Sequence, residues 1–292
     1  MKITKILEAG KPTISFEVFP PKTTTAFDSV KAATERIAEL HPAFMSVTYG
    51  AGGGTSQYTI EIAKNIDEAH GVPSIAHLTC VSSTRATVLD MIQKIKNAGI
   101  SNVMALRGDI PEELKSCDRT DWTYHHAIDL IREIKQSGVE LCIGGACYPE
   151  IHPESANRAQ DIYYLAKKVD AGCDFLTTQM FFDNALFYSF LDDIMGAGIS
   201  VPLIPGIMPI TNAKQVERAI NLSGCFMPPK FMELVDRYAD DPVSMHEAGI
   251  EYATEQIREL YSHGVGNVHV YTMNKPEIAQ KIRSNVSDII DP

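Results

Sequence analysis

The sequence predicts an α/β fold, a parallel barrel of eight strand-then-helix units, on three observations. Short apolar stretches alternate with amphipathic ones along a chain of 292 residues. The short stretches are largely apolar rather than strictly alternating, as strands covered on both faces should be. Strict alternation of strands and helices implies parallel strands joined by right-handed crossovers. Eight such units in about 250–300 residues is the count of a (β/α)8, or TIM, barrel. An open doubly wound sheet is the competing arrangement.

The first strand is Thr13-Ile14-Ser15-Phe16-Glu17-Val18-Phe19, stopped by Pro20 and Pro21, which have no N–H to give a ladder. A helix follows over 26–40, with Val30, Ala33, Ile37 and Leu40 at helical spacing. Strand two is 44–49, and the helix over 57–69 ends at Gly71 and Pro73. Strand three is 74–80, followed by an amphipathic helix over 84–98 with Gly99 as its C-cap signal. Strand four is 102–106, and the next helix, 122–136, is closed by Gly138. Strand five is 140–148, with a helix over 157–171 closed by Gly172. Strand six is 175–182, with a helix over 185–195 closed by Gly196 and Gly198. Strand seven is 202–207. Helices over 213–222, 229–238 and 243–263 precede strand eight, 267–272, and 276–290 is the last helix. The expected organisation is one domain over 1–292, with a helical insertion before strand eight at about 223–263.

Composition narrows the function classes. Hydrophobic residues make up 45% of the chain, enough for a large core. No run of 18 apolar residues exists, so no membrane span is expected. The start, MKITKILEAGKPT, lacks an apolar h-region and a small-residue cleavage pattern, so a cytoplasmic location is expected. Cysteines 80, 117, 142, 147, 173 and 225 form no C-x-x-C pair, which argues against a zinc ribbon or a disulfide scaffold. A net charge of −11 without a basic block argues against nucleic acid and anionic membrane as partners. A negatively charged small ligand would need a local cationic pocket.

Chemistry in such a barrel sits where strands end. Glu17 interrupts the apolar set of strand one near its C-terminal end. Burial raises a carboxyl pKa, and a carboxylic acid kept protonated near neutral pH can act as a general acid. A solvated edge-strand carboxylate, or a pair with Lys22, is the plain alternative. Other strand ends bring Thr48 and Tyr49, His77 and Thr79, Arg107-Gly108-Asp109, then Tyr148, Glu150 and His152. Strand six gives Thr177, Thr178, Gln179 and Asp183, and strand eight gives Tyr271, Asn274 and Lys275. Polar residues at the same end of so many strands point to one large cleft. The run Gly50-Ala51-Gly52-Gly53-Gly54-Thr55 lies where a phosphate cradle would, but it is neither G-x-G-x-x-G nor a P-loop. It reads equally as a structural turn. His77 and His152 lack the spacing of metal ligands, so no metal site is expected. No serine sits at a G-x-S-x-G elbow. Arg107 and Asp109 read either as a local salt bridge or as an anion holder beside a hydrogen-bond acceptor. Lys167 and Lys168 read by composition as a solvated helix face.

The ordered set of strand-end segments resembles the methylenetetrahydrofolate reductase family. It comprises Ser15-Phe16-Glu17-Val18-Phe19-Pro20-Pro21, Ser46-Val47-Thr48-Tyr49-Gly50-Ala51, Ala76-His77-Leu78-Thr79-Cys80 and Ala105-Leu106-Arg107-Gly108-Asp109. It continues with Tyr148-Pro149-Glu150-Ile151-His152-Pro153-Glu154, Lys168-Val169-Asp170-Ala171-Gly172, Gln179-Met180-Phe181-Phe182-Asp183 and Pro205-Gly206-Ile207-Met208-Pro209. The resemblance implies an FAD-containing barrel that reduces methylenetetrahydrofolate to methyltetrahydrofolate with NADH or NADPH in a ping-pong reaction of one-carbon metabolism and methionine synthesis. It also implies a catalytic domain without the regulatory domain of eukaryotic members. Glu17 matches the general acid that assists opening of the imidazolidine ring. Asp109 matches the carboxylate that binds the pterin near the flavin. Gln179 matches a contact to folate and nicotinamide in turn, and Thr48 a nicotinamide contact. Tyr49, Ala51, His77, Arg107, Gly108, Asp109, Tyr148, His152, Asp161, Lys167 and Lys168 match FAD positions; the two lysines would neutralise its diphosphate. Gln215 and Lys275 match substrate positions, Lys275 standing where some bacterial members carry arginine. Ala219 stands in place of a phenylalanine, Tyr164 in place of an asparagine, and 122–127 matches the adenine-side loop loosely. A homo-oligomer is expected; the alternative is a flavin-containing subunit of a larger complex that receives electrons from a partner protein, as in some anaerobes. Two rival readings are a lyase or aldolase barrel, for which Lys275 is the late Schiff-base candidate, and a non-catalytic flavin- or folate-binding subunit.

Overall fold

In the strand β1 (Thr13–Val18), Ile14, Phe16 and Val18 are buried in the layer that the helices cover. Ser15 and Glu17 alternate with them and turn to the interior, as the period of two requires. The computed structural model describes residues 1–21, 23–49, 56–110, 114–120 and 122–291. The other strands are β2 (Met45–Val47), β3 (Ser74–Thr79), β4 (Asn102–Leu106) and β5 (Cys142–Cys147). After them come β6 (Phe175–Thr178), β7 (Leu203–Ile204), β8 (Gly206–Ile207) and β9 (Asn267–Tyr271). All pair in parallel, in the order β7-β6-β5-β4-β3-β2-β1-β9-β8. The two ends of that order are neighbours in sequence, with Pro205 alone between them. They are the halves of one strand. The first half pairs with β6 and the second with β9, and this closes the barrel. Proline has no N–H for the ladder, but the Pro205 carbonyl still accepts from the His269 N–H at 2.9 Å.

Helices follow the strands: α2 (Phe27–Ala38), α3 (Ser56–His70), α4 (Arg85–Asn97), α5 (Ala127–Gln136), α6 (Arg158–Asp170) and α7 (Asn184–Gly196). A short α1 (Ile3–Leu7) precedes β1. Three helices, α8 (Lys214–Ser223), α9 (Pro229–Arg237) and α10 (Pro242–Ser262), stand between β8 and β9. They carry a separate apolar cluster built on Phe182, Val216, Phe231 and Met245. The chain ends in α11 (Pro276–Asn285) and α12 (Ser287–Ile290). Among the described residues no helix is long and apolar enough to cross a membrane.

The barrel interior is graded. Ile75, Met104, Cys142, Phe175 and Ile204 fill its lower part, and Phe44 with Ile3 and Leu7 of α1 closes the bottom. Gly144 makes room for this plug: a Cβ there would lie 2.4 Å from Phe175 Cζ and 3.1 Å from Met104 Cε. The polar residues are displaced to the upper end, where the strands terminate.

Several element boundaries need correction: the strand expected over 175–182 ends at Thr178, the strand expected over 140–148 narrows to Cys142–Cys147, and the helix expected over 276–290 is divided into α11 and α12. The helix expected over 122–136 begins at Ala127. Asp129 accepts the His125 and His126 N–H groups, both at 3.0 Å, and so holds the preceding segment in a non-helical entry. The strand expected over 44–49 narrows to Met45–Val47. The strand expected over 202–207 is divided at Pro205, so nine strands replace eight.

Candidate active site

Register assembles the site. Glu17 is paired across β1 with Ser46 of β2 on one side and Tyr271 of β9 on the other. Ser15, one step lower on the same face, is paired with His269. His77 enters from β3. The Glu17 side chain is 14% exposed. Its Oε2 lies 3.3 Å from Ser46 Oγ, 3.5 Å from His77 Nε2 and 4.0 Å from His269 Nε2. Burial pushes the Glu17 carboxyl up to about 8; a hydroxyl donated by Ser46 would pull it back down. Burial pushes His77 down to about 4, and burial with the neighbouring His77 pushes His269 down to about 3. The site therefore holds an acid that keeps its proton at neutral pH beside two uncharged imidazoles.

The framework around Glu17 is tightly bonded. Thr272 donates to the Glu17 carbonyl at 2.7 Å. Asn274 receives the Phe19 N–H at 2.8 Å and donates to the Phe19 carbonyl at 3.0 Å, which fixes the end of β1. Tyr271, its phenol pushed up by burial, donates to the Thr178 carbonyl at 2.6 Å. Gly206 permits this, because a Cβ there would stand 2.2 Å from the Tyr271 oxygen.

A second group lies at the ends of β4 and β5. Arg107 donates to Glu154 at 2.6 Å, and this pair raises the guanidinium and lowers the carboxyl. Asp109 is exposed, and its charge bears on Tyr148, whose phenol burial pushes up. The Tyr148 ring meets His152 edge-on at 4.6 Å. Burial pushes His152 down, and its Nδ1 accepts the Glu154 N–H at 3.1 Å. Asp161 shapes this loop by accepting from the His152 N–H at 3.3 Å and the Ser155 hydroxyl at 3.1 Å. Lys168 donates to the Ala146 carbonyl at 2.6 Å, and burial pushes its ammonium down. That corrects its reading as a solvated-face residue. Lys167 is exposed, its ammonium 5.4 Å from the centre of the Tyr163 ring.

A profile described as methylenetetrahydrofolate reductase matches residues 2–287. The chain belongs to the methylenetetrahydrofolate reductase family. It is 34% identical over 273 residues to the 5,10-methylenetetrahydrofolate reductase of Pectobacterium carotovorum subsp. carotovorum, covering 94% of this chain and 89% of that relative. The Escherichia coli (strain K12) protein of the same description is 33% identical over 273 residues, covering 94% and 90%. Methylenetetrahydrofolate reductase (NADH) 1 of Arabidopsis thaliana is 33% identical over 295 residues, covering 98% of this chain but 50% of its own length. The chain thus spans half the length of the plant relative. Among solved structures, an uncharacterized protein from Clostridium thermocellum that binds two copies of 5-methyl-5,6,7,8-tetrahydrofolic acid superposes with a TM-score of 0.65. It is 16% identical and covers 97% of this chain and 99% of its own. A 2,3-dimethylmalate lyase gives 0.54 at 11% identity, covering 97% and 82%. At these identities the superpositions speak for the TIM-barrel fold alone.

The methylenetetrahydrofolate reductase fold brings some of the expected residues together and leaves others apart in role. Glu17 and His77 meet directly. Arg107, Gly108, Asp109, Tyr148, His152 and Asp161 share the β4–β5 end. Thr48 donates its N–H to the Val18 carbonyl at 3.0 Å, and Tyr49 packs against the main core. Gln179 donates its N–H to the Cys147 carbonyl at 2.7 Å, while its own side-chain oxygen accepts from the Met180 N–H at 3.0 Å. Gln215 is engaged in its own loop, accepting from the N–H groups of Thr211 at 2.9 Å and Asn212 at 3.1 Å. Lys275 caps α11. Ala51, the glycine run and Lys22 lie outside the described residues. Ser15, Ser46 and His269 join the site although the sequence assigned them no role: Ser15 and Ser46 open two of the family segments, in β1 and β2, and His269 of β9 lies in none.

Proposed function

We propose that this chain is an FAD-dependent reductase that converts methylenetetrahydrofolate to methyltetrahydrofolate with electrons from NADH or NADPH. The observation that carries the reading is Glu17: a carboxyl that burial keeps protonated, at the end of β1 in a methylenetetrahydrofolate reductase barrel. The donor set suits an anionic dinucleotide. Lys168 is half-buried and its ammonium donates to the uncharged Ala146 carbonyl, and His77 Nε2 is a buried atom with no hydrogen-bond partner. Tyr49, Arg107, Tyr148, His152 and Lys168 would hold the group, and Thr48 would contact the nicotinamide of the co-substrate. When bound, the flavin supplies the hydride-carrying centre that no side chain provides. Glu17 holds its proton on the carboxyl and gives it to the substrate as the imidazolidine ring opens. Asp109 accepts hydrogen bonds from the pterin amino groups, and Gln179 and Lys275 orient the rest of the folate. On the same reading 1–292 acts as one catalytic domain in cytoplasmic one-carbon metabolism, as a homo-oligomer.

The test separates the half-reactions in FAD-reconstituted protein under anaerobic conditions. Glu17→Gln should bind flavin and be reduced by NADH or NADPH at a rate close to the parent. Its folate half-reaction should fall by about 10²–10⁴-fold, the usual contribution of a general acid. Equal loss of both half-reactions would refute the assignment. Failure to take up FAD in the parent chain would refute the cofactor.

A further inference from the structure

We propose that His269, through Ser15 and Ser46, is a positioning residue that keeps Glu17 in its proton-carrying form by withholding from it the Ser46 hydroxyl. The inference rests on the reading of Glu17 as the acid and concerns how the barrel maintains it.

Four contacts form one chain beneath the carboxyl. Glu17 Oε2 lies 3.3 Å from Ser46 Oγ, and Ser46 Oγ lies 2.9 Å from His269 Nε2. His269 Nδ1 lies 2.7 Å from Ser15 Oγ, and Ser15 Oγ lies 3.1 Å from the Val268 carbonyl. The far end fixes the polarity, because a carbonyl oxygen can only accept. Ser15 has one proton and donates it to Val268. It must therefore accept from Nδ1–H of His269. A neutral imidazole with its proton on Nδ1 has a bare Nε2, which accepts the Ser46 hydroxyl. What Ser46 then presents to Glu17 is a lone pair. The fourth contact is satisfied only if Glu17 donates, as a carboxylic acid.

An ionised Glu17 reverses each step. Ser46 would have to donate to the carboxylate, His269 would carry its proton on Nε2, and Ser15 would turn to Nδ1. The Ser15–Val268 contact would then have no proton. Four contacts are met with the acid and three with the carboxylate. The chain thus favours the acid by hydrogen-bond count, independently of desolvation.

The surroundings supply no opposing charge. The titratable groups facing Glu17 are His77 from β3 and His269 and Tyr271 from β9, with the Ser46 hydroxyl from β2. Both imidazoles and the phenol are held neutral by burial. The stacking of Phe44 on His269, centroids 5.6 Å apart and 15° between planes, holds the ring in the orientation the chain needs.

The experiment is an infrared titration of the Glu17 carboxyl in the FAD-reconstituted protein, the band being assigned by its loss in Glu17→Gln. Ser46→Ala and Ser15→Ala are compared with the parent. Both should lower the Glu17 pKa: the first removes the acceptor of the acid proton, and the second frees His269 to protonate Nε2 and release the Ser46 hydroxyl toward the carboxylate. The high-pH limb of the folate half-reaction should move the same way, with flavin reduction unmoved. A raised pKa in Ser46→Ala would show that Ser46 donates to a carboxylate and would overturn the proposal; so would no shift. Nitrogen NMR of the parent gives a check that needs no variant: His269 must be neutral with its proton on Nδ1, and a proton on Nε2 would overturn the proposal. If the chain behaves as stated but Glu17→Gln retains folate reduction, the acid assignment fails and the hydrogen-bond chain stands.

Discussion

Glu17 and the two buried histidines pull stability in opposite directions as pH changes. The Glu17 carboxyl moves from 4.5 in a free chain to about 8 in the fold, so between these values the folded chain keeps a proton that the unfolded chain has shed. Stability from this group is lost as pH rises through that window. His77 and His269 move from 6.5 to about 4 and about 3, so below 6.5 the unfolded chain binds protons that the fold refuses. Their contribution is lost as pH falls. Two histidines outweigh one carboxyl on the acid side, so the cluster favours a stability maximum near the histidine value of 6.5. Melting temperature against pH should fall on both sides of that maximum. In Glu17→Gln the decline from 6.5 to 8 should flatten while the acid decline remains. An alkaline limb unaltered by the substitution would show that Glu17 is not the group titrating there.

Among the elements, β5 and the plug beneath the site carry a sharper expectation. Gly144→Ala would force a methyl to within 2.4 Å of the Phe175 ring, which is wholly buried. Overpacking of this kind costs about 1–3 kcal/mol, so the urea midpoint should fall accordingly. Adding Phe175→Leu to Gly144→Ala should restore part of the loss, because the two changes share one cavity. An unchanged midpoint in the single variant would mean that the plug is looser than described. The elements also show what the sequence could and could not reveal. Apolar stretches, glycine stops and helical spacing carry local information, and they placed nearly every strand and helix. The division of strand seven at Pro205 depends on which neighbour each half meets, and pairing is not written in either half alone. Glu17 is legible because a carboxylate interrupts an apolar strand. Ser46 and His269 are ordinary polar residues in their own segments, and only the cross-strand register makes them neighbours of Glu17. Lys168 is misleading for the same reason, since a lysine on an amphipathic helix gives no local sign that its ammonium turns under the sheet end.

On the scale of the whole molecule, a chain of net charge −11 places the ammonium of Lys168 at the end of β5, 2.6 Å from the Ala146 carbonyl. That contrast makes ligand retention an electrostatic question. On the proposed reading that the chain takes up FAD, Lys168→Met should weaken its retention by about 10–100-fold, the range expected for one hydrogen bond to a charged group. Salt should weaken retention in the parent more than in the variant, since screening acts on the charge that the variant lacks. Equal salt dependence in both would place the FAD diphosphate elsewhere.

Closure of the cylinder rests on β7 and β8, two residues each, while β1 and β3 have six. The seam is therefore the place where the wall can part with the fewest bonds broken. Amide hydrogens of Leu176 and His269, which reach across to the carbonyls of Pro202 and Pro205 at 2.8 and 2.9 Å, should exchange with solvent sooner than those of β3 and β4. Uniform protection around the wall would refute this. Because Tyr271 lies against Gly206 at that seam and beside Glu17 in the register, such breathing would admit solvent next to the acid. On the proposed reading of Glu17 as the acid, a fluctuation of the wall would then give its carboxyl a further route to reprotonation after turnover.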